Sequence, residues 1–183
     1  MRLATIASAV FLMAVGLVGH LSLGGETPAA KPAKGVLRVG TFDSRAVAVV
    51  YVRSAAGGAK IKRLMEQYEQ AKAAGNEAEM KRLQAEGKAG QDRLHQQGFS
   101  TASVANILET IQDQLPAIAK QAEVDLILSK WDAVYLAPGS ETIDVTDLIL
   151  KPFNPDKKTL DIVEQLRKHT PSPLEKLKIG TRE

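Results

Sequence analysis

Several hydrophobic patterns succeed one another along the chain. An apolar run from Leu3 to Val18 comes first, followed at 26 to 35 by ETPAAKPAKG, which has two prolines and nothing apolar larger than alanine. Such a stretch cannot bury enough surface to order itself and reads as a linker. At 36 to 42 the chain becomes VLRVGTF, whose β-branched and large apolar residues predict a strand. Asp43 and Ser44 are good N-cap types. Ala46, Val49, Val50 and Arg53 then recur at helical spacing, so RAVAVVYVRS is read as a helix, although its valines would also suit a strand.

Gly57 and Gly58 are expected to interrupt that helix, since each glycine costs about 1 kcal/mol of helix stability. Beyond them Ile61, Leu64, Met65 and Tyr68 fall at i, i+3, i+4 and i+7, a single apolar stripe on a charged helix. Gly75 and Asn76 tolerate the left-handed conformation and close it. A second amphipathic stretch carries Met80, Leu83, Gly87, Gly90 and Leu94 near one face. The two predict an antiparallel hairpin whose seam is thin, because glycines 87 and 90 supply no side-chain area. Gly98 ends the return arm, so interruptions lie on both arms at similar distances from the tip, and a hinge is expected there. Ser100 or Thr101 can cap a further helix with Val104, Ile107, Leu108, Ile111 and Leu115 on its core face. Pro116 should kink or break that helix.

After Glu123 the period changes again. VDLILS and AVYLAP are two apolar runs separated by KWD, a pattern that predicts a β-hairpin over 124 to 138. DVTDLILKPF predicts a short helix capped by Asp144 or Thr146 and halted by Pro152. NPDKKTLDIVEQLRKH predicts one more helix, with a cap signal at Asn154 and with Leu160, Ile162, Val163 and Leu166 in its amphipathic pattern. The tail TPSPLEKLKIGTRE reads as a mostly disordered end, the alternative being a strap over the preceding helix. The fold class is therefore α+β: a small β-sheet base, a helical hairpin over about 44 to 122, and a C-terminal helix. Val39, Phe42, Leu126, Leu128, Trp131, Val134 and Tyr135 are the expected residues of the sheet and assembly core.

With 183 residues, 44% of them apolar and 4% aromatic, the core must be small, and self-association is a natural source of further stability. A homo-oligomer is expected. The formal charge of +3 is spread along the chain, with neither a basic run nor an aromatic and arginine platform, which speaks against a nucleic-acid partner. Absence of cysteine excludes disulfides, thiolate metal sites and thiol nucleophiles. His20, His95 and His169 are far apart, none with a second histidine at metal-ligand spacing, and Gly57-Gly58-Ala59-Lys60 lacks the rest of a phosphate-loop pattern. Glu66 with Glu69, and Glu77 with Glu79, sit among lysines and arginines and read as solvated faces. No cofactor, metal or enzymatic activity is expected. Arg2 followed by the apolar run reads as an export signal at 1 to 25, either cleaved or kept as a membrane anchor, since the run falls short of the roughly 20 residues of a comfortable span.

The segment AEVDLILSKWDAVYLAPGSETIDVTDLIL, 122 to 150, resembles the Skp (OmpH-like) periplasmic chaperone family. Asp125, Leu126, Leu128, Ala133, Val134, Tyr135, Asp144, Thr146, Asp147 and Leu150 occupy slots of that family's pattern. The opening VLRVGTFDSRAV is more loosely similar to its first strand, with Phe42, Asp43 and Ser44 at the turn, and KAAGNEAE at 72 to 79 resembles its polar hairpin tips. The resemblance spans 36 to 150 and leaves 151 to 183 as an extension. It implies a trimer whose helical hairpins hold unfolded outer-membrane proteins in the periplasm without ATP. On that reading Ile61, Leu64, Met65, Tyr68, Met80, Leu83 and Leu94 are the candidate client-binding residues. The alternative from a different class is an envelope-anchored scaffold whose hairpin binds one folded partner.

Overall fold

The computed structural model describes residues 37–177. The expected export segment at 1 to 25 and linker at 26 to 35 lie outside the described residues. The architecture is α+β. Three short strands, β1 (Val39–Phe42), β2 (Leu126–Ser129) and β3 (Thr142–Asp144), form one parallel sheet in the order β2-β1-β3. Val39 to Phe42 lie opposite Leu126 to Ser129 on one side, and Val39 to Thr41 lie opposite Thr142 to Asp144 on the other. Residues from the two ends of the expected 36 to 150 region are thus neighbours, and everything between β1 and β2 leaves the sheet and returns to it.

Asp43 ends β1 and starts α1 (Ser44–Arg53), its side chain accepting the Arg45 backbone N–H at 3.0 Å. A capping carboxylate there satisfies a donor that the first helical turn cannot satisfy itself. Ala46, Val47, Ala48 and Val50 are buried, so the valines that also suited a strand serve a helix packed on nearly every side. The break after α1 falls at Ser54, three residues before the glycines. The Ser54 hydroxyl donates to the Tyr51 carbonyl at 2.6 Å and accepts the Gly57 N–H at 3.2 Å, ending one helix while capping the next. Gly57 then serves the close approach: a Cβ there would stand 2.2 Å from the Tyr51 carbonyl oxygen.

Helix α2 (Ala55–Ala73) meets α3 (Glu77–Phe99) through a turn in which Gly75 takes φ +63° and Asn76 caps α3 by accepting the Glu79 N–H. Gly98 does not end α3, which continues through Phe99 and packs its foot on α1. The next segment is α4 (Ala105–Leu108), a 3-10 stretch Glu109–Gln114 that departs from helical geometry at Ile111, and α5 (Leu115–Ala122) with Pro116 in its first turn. The break expected near Pro116 therefore lies on its N-terminal side, where proline fits a new helix start.

The predicted β-hairpin at 124 to 138 is not formed. Only its first half is a strand; residues 130 to 141 carry no strand, and the sheet takes Thr142–Asp144 as its third member, parallel to β1. A hairpin partner for β2 would have to lie on its outer side, which is left open, whereas the inner position beside β1 is reached by β3 after the turn at Gly139.

Residues after 150 belong to the same core. Helix α6 (Thr146–Leu150) passes into a 3-10 turn Lys151–Phe153, and α7 (Lys157–Arg167) packs on α1. Phe153 and Val163 join the buried cluster with Phe42, Val47, Ile107, Val145 and Ile149, so no boundary at 150 separates an extension from the domain. The cap of α7 is Asp156, which accepts the Thr159 N–H at 2.7 Å, while Asn154 takes the left-handed conformation at φ 49°. Part of the tail is a strap: the Ser172 N–H donates to the Phe99 carbonyl at 2.8 Å. Residues 178 to 183 lie outside the described residues.

Candidate functional site

Two regions stand apart from the ordinary core. The first is the pair α2 and α3. Its sequence-predicted residues divide between the seam and the surface. Leu83 is buried, with 2% of its surface exposed, and so is Ala71. Leu64 and Tyr68 are half-buried; the Leu64 methyl lies 3.3 Å from where a Cβ of Gly87 would stand, and the Tyr68 hydroxyl accepts the Gln84 amide N–H at 3.1 Å. Glycine at 87 is what lets Leu64 approach. Met80 and Leu94 are half-buried. Ile61 and Met65 are exposed, at 44% and 64%. Leu83 is therefore withdrawn from the client-binding set, because it faces the contact between the helices and leaves no surface for another chain.

The outer faces of the pair are charged and cross-linked along the helix. Lys62 pairs with Glu66, Arg82 with both Glu79 and Glu86, and Lys88 with Asp92. Hydrogen bonds from Arg82 hold the Glu79 carboxyl below its ordinary range. These i, i+3 and i, i+4 pairs add weak, solvent-screened support along each helix, useful to two helices with so thin a seam.

The second region lies where all three parallel strands end. Asp43 follows β1, Lys130 and Trp131 follow β2, and Thr146 follows β3. Asp43 and Arg45 are each 1% exposed. One carboxylate oxygen of Asp43 accepts from Arg45 Nε at 3.1 Å and Trp131 Nε1 at 3.3 Å, the other from Arg45 Nη2 at 2.9 Å and Lys130 Nζ at 2.8 Å. The Asp43 N–H donates to the Thr146 hydroxyl at 3.0 Å, and Arg45 Nη1 reaches the His169 carbonyl at 2.8 Å. The Trp131 ring stacks against both cations, 5.0 Å from the Arg45 guanidinium carbon and 4.6 Å from Lys130 Nζ. Burial alone would push the Asp43 carboxyl up, but the bonds and charges of Arg45 and Lys130 outweigh it and hold the group down at about 2.

This cluster was not visible as a unit in the sequence. Its long-range bonds join residues 88, 103 and 124 positions apart, and only Asp43 with Arg45 and Lys130 with Trp131 are near in the chain. The signal that was present, a cap aspartate two residues before an arginine and a lone tryptophan beside a lysine, has too many ordinary explanations. Chemically the cluster is an anchor. Both carboxylate oxygens are engaged by cationic and neutral donors, which ties three strand ends, α1 and the chain after α7 to one point.

The expected sheet and assembly residues divide as well. Phe42 is buried; Val39, Leu128 and Trp131 are half-buried; Leu126 is 44% exposed on the edge strand. Val134 and Tyr135 do not belong to the sheet. They stand exposed at 101% and 77%, next to Leu136 at 53%. Beside β2, Leu115, Pro116 and Ala119 with Leu126 and Ile127 line an open groove, together with the polar Gln112, Asp113 and Asp125.

Among the described residues no group of three or more His, Asp or Glu side chains is placed to hold a metal ion, and no helix is long and apolar enough to cross a membrane. Comparison with protein-family models, curated proteins and solved structures finds no match to this chain.

Proposed function

We propose that the chain is an ATP-independent holdase of the bacterial periplasm, as the Skp/OmpH-like resemblance implies, and that α2 and α3 form its projecting antiparallel hairpin. One observation carries the reading. Helices of 19 and 23 residues bury between them only two apolar side chains, Ala71 and Leu83. Helices in globular domains draw most of their stability from a buried face, and this pair has almost none, so most of its length is solvated surface. Ile61 and Met65 stand on that surface among mixed charges. Weak, distributed apolar contacts, one of them a flexible methionine, suit a client chain that has no fixed shape.

The open edge of β2, the groove beside it and the exposed Val134, Tyr135 and Leu136 fit a second copy of the chain as their occupant. An unpaired strand edge beside apolar surface is normally covered, and a short segment of strand-forming residues with no ladder of its own is available on every copy. The oligomer is a trimer if the family resemblance extends to assembly.

The test is aggregation of a denatured outer-membrane β-barrel, followed by light scattering without nucleotide. Suppression at a small molar excess is the expected result; none at several-fold excess overturns the holdase reading. The scaffold alternative draws on the ion pairs that stiffen the arms, as a folded partner would require. One stoichiometric partner in a pull-down, with no affinity for denatured clients, would favour it instead.

A further inference from the structure

We infer that the segment from Lys168 to Leu177 is a releasable strap that clamps the foot of α3 to the buried ion cluster, so that its attachment governs the freedom of the arm. The last carbonyls of a helix have no partner within it. At the end of α3 the Phe99 carbonyl is met by the Ser172 N–H at 2.8 Å. The strap's other end is fixed by Arg45 Nη1 on the His169 carbonyl. It leaves directly from α7, whose Val163 is in the core. Two points of attachment thus join the arm's base to the same arginine that organises the strand ends.

The chemistry of the segment suits docking and release. Pro171 and Pro173 have no N–H, so Ser172 carries the only backbone donor of the three, and it is directed at Phe99. Each proline fixes its own φ, and Pro173 also restricts Ser172, which leaves the stretch stiff before it docks and reduces the entropy lost on docking. None of residues 168 to 177 is buried, and Leu174 is 43% exposed. The strap is therefore held by a few hydrogen bonds and the half-buried Pro171 and Leu177, with no fully buried side chain, the profile of an element that opens locally long before the domain unfolds. On release, the Phe99 carbonyl at the end of α3 loses its partner, while the Ser100 N–H keeps its bond to Gln96, and the arm pivots more widely. That this widening serves client capture rests on the holdase reading; the strap itself does not.

Ser172→Pro deletes the single donor while keeping the segment stiff, and Ser172→Ala keeps the donor. The chain has no cysteine, so spin labels can be placed at Lys72 and Lys151, both exposed, after Lys72→Cys and Lys151→Cys. Ser172→Pro is expected to broaden the distance distribution between tip and base and to raise amide exchange at residues 97 to 100 about tenfold, the effect of losing one hydrogen bond. Exchange in α7 should be unchanged, and Ser172→Ala should match the wild type. A full chain ending at Thr170 should reproduce Ser172→Pro. If Ser172→Pro and the shortened chain both match the wild type in distances and exchange, the strap does not restrain the arm. Both readouts concern structure alone, so a failure here is distinguishable from a failure to hold clients.

Discussion

The guanidinium of Arg45 lies 5.0 Å from the centre of the Trp131 ring while two of its nitrogens bond the two carboxylate oxygens of Asp43. One planar group thereby satisfies a buried carboxylate, an aromatic face and, through Nη1, the His169 carbonyl. A lysine ammonium has neither the fork nor the flat face for all three. Arg45→Met should destabilise the fold by about 3 kcal/mol, the low end of the cost of breaking a buried ion pair, because Lys130 and Trp131 still hold the Asp43 carboxylate. Arg45→Lys should cost about 1–3 kcal/mol, because charge is retained while hydrogen bonds are lost. Urea unfolding checks the order; an Arg45→Lys variant as unstable as Arg45→Met would mean that geometry, not charge, dominates.

Acid should loosen the same cluster. The Asp43 carboxyl is held at about 2 in the folded chain, against about 3.9 for an unperturbed aspartate. A depressed carboxylate contributes its stability in full above the unfolded value and loses it as pH falls through the folded one, here between about pH 4 and pH 2, for about 2–3 kcal/mol in all. Asp43→Asn should lower stability at neutral pH yet flatten this acid limb. Urea midpoints from pH 5 to pH 2 for both proteins provide the measurement, and parallel limbs would contradict the assignment to Asp43.

Neighbouring glycines at the start of α2 should respond in opposite directions. At Gly58 an added Cβ meets nothing within 4 Å, so Gly58→Ala should stabilise by up to about 1 kcal/mol through helix propensity. At Gly57 the same atom would overlap the Tyr51 carbonyl, and Gly57→Ala should destabilise by about 1–3 kcal/mol, as other forced overpacking does. Thermal unfolding of the two variants decides it.

The arms offer a separation of stability from holding. Leu83→Ala should cost about 2–5 kcal/mol, as for other buried leucines. Met65→Gln and Ile61→Gln, at exposed positions, should stay within about 0.5 kcal/mol of the wild type. If the arms hold clients, the exposed pair of changes reduces suppression of aggregation at unchanged stability. Equal suppression by the doubly changed protein would move the client surface elsewhere.

Self-association has its own variant. Val134→Lys with Tyr135→Lys places charge on side chains that touch little within one copy. If copies associate through this surface, native mass measurement should show a lower oligomer, and the unfolding midpoint should fall and lose its dependence on protein concentration; an unchanged mass would assign that surface another role.

Local chemistry was readable along the chain where short-range interactions decide it. Asp43 as a cap, Gly75 and Asn76 as a turn, and the apolar positions Val104, Ile107 and Ile111 all follow from spacing within one or two turns. What could not be read was pairing. AVYL at 133 to 136 has the composition of a strand, yet strand propensity describes fit to a half-buried pleated surface, and within one copy there is none for it. TID at 142 to 144 is a weaker pattern and gains the place beside β1. The boundary drawn at 150 failed for the same reason, since Phe153 and Val163 are core only because α1 offers them a face. Of the candidate site, the helical stripe Ile61, Leu64, Met65 and Tyr68 was legible as one face, but not which of its members stand exposed, because seam and surface lie one residue apart, at Leu64 and Met65.

The parallel sheet also dictates an order of events. Each rung joins residues roughly 90 to 100 positions apart, such as Val39 with Leu126 and with Thr142. Contacts of that span close slowly, because the loss of chain freedom precedes any gain. Helical turns between them form from neighbours alone, so the arms are expected to coil early and the strands to join last. A nascent chain therefore has no partner for β1 until Leu126 to Ser129 are available, and the third strand joins only when Thr142 to Asp144 follow.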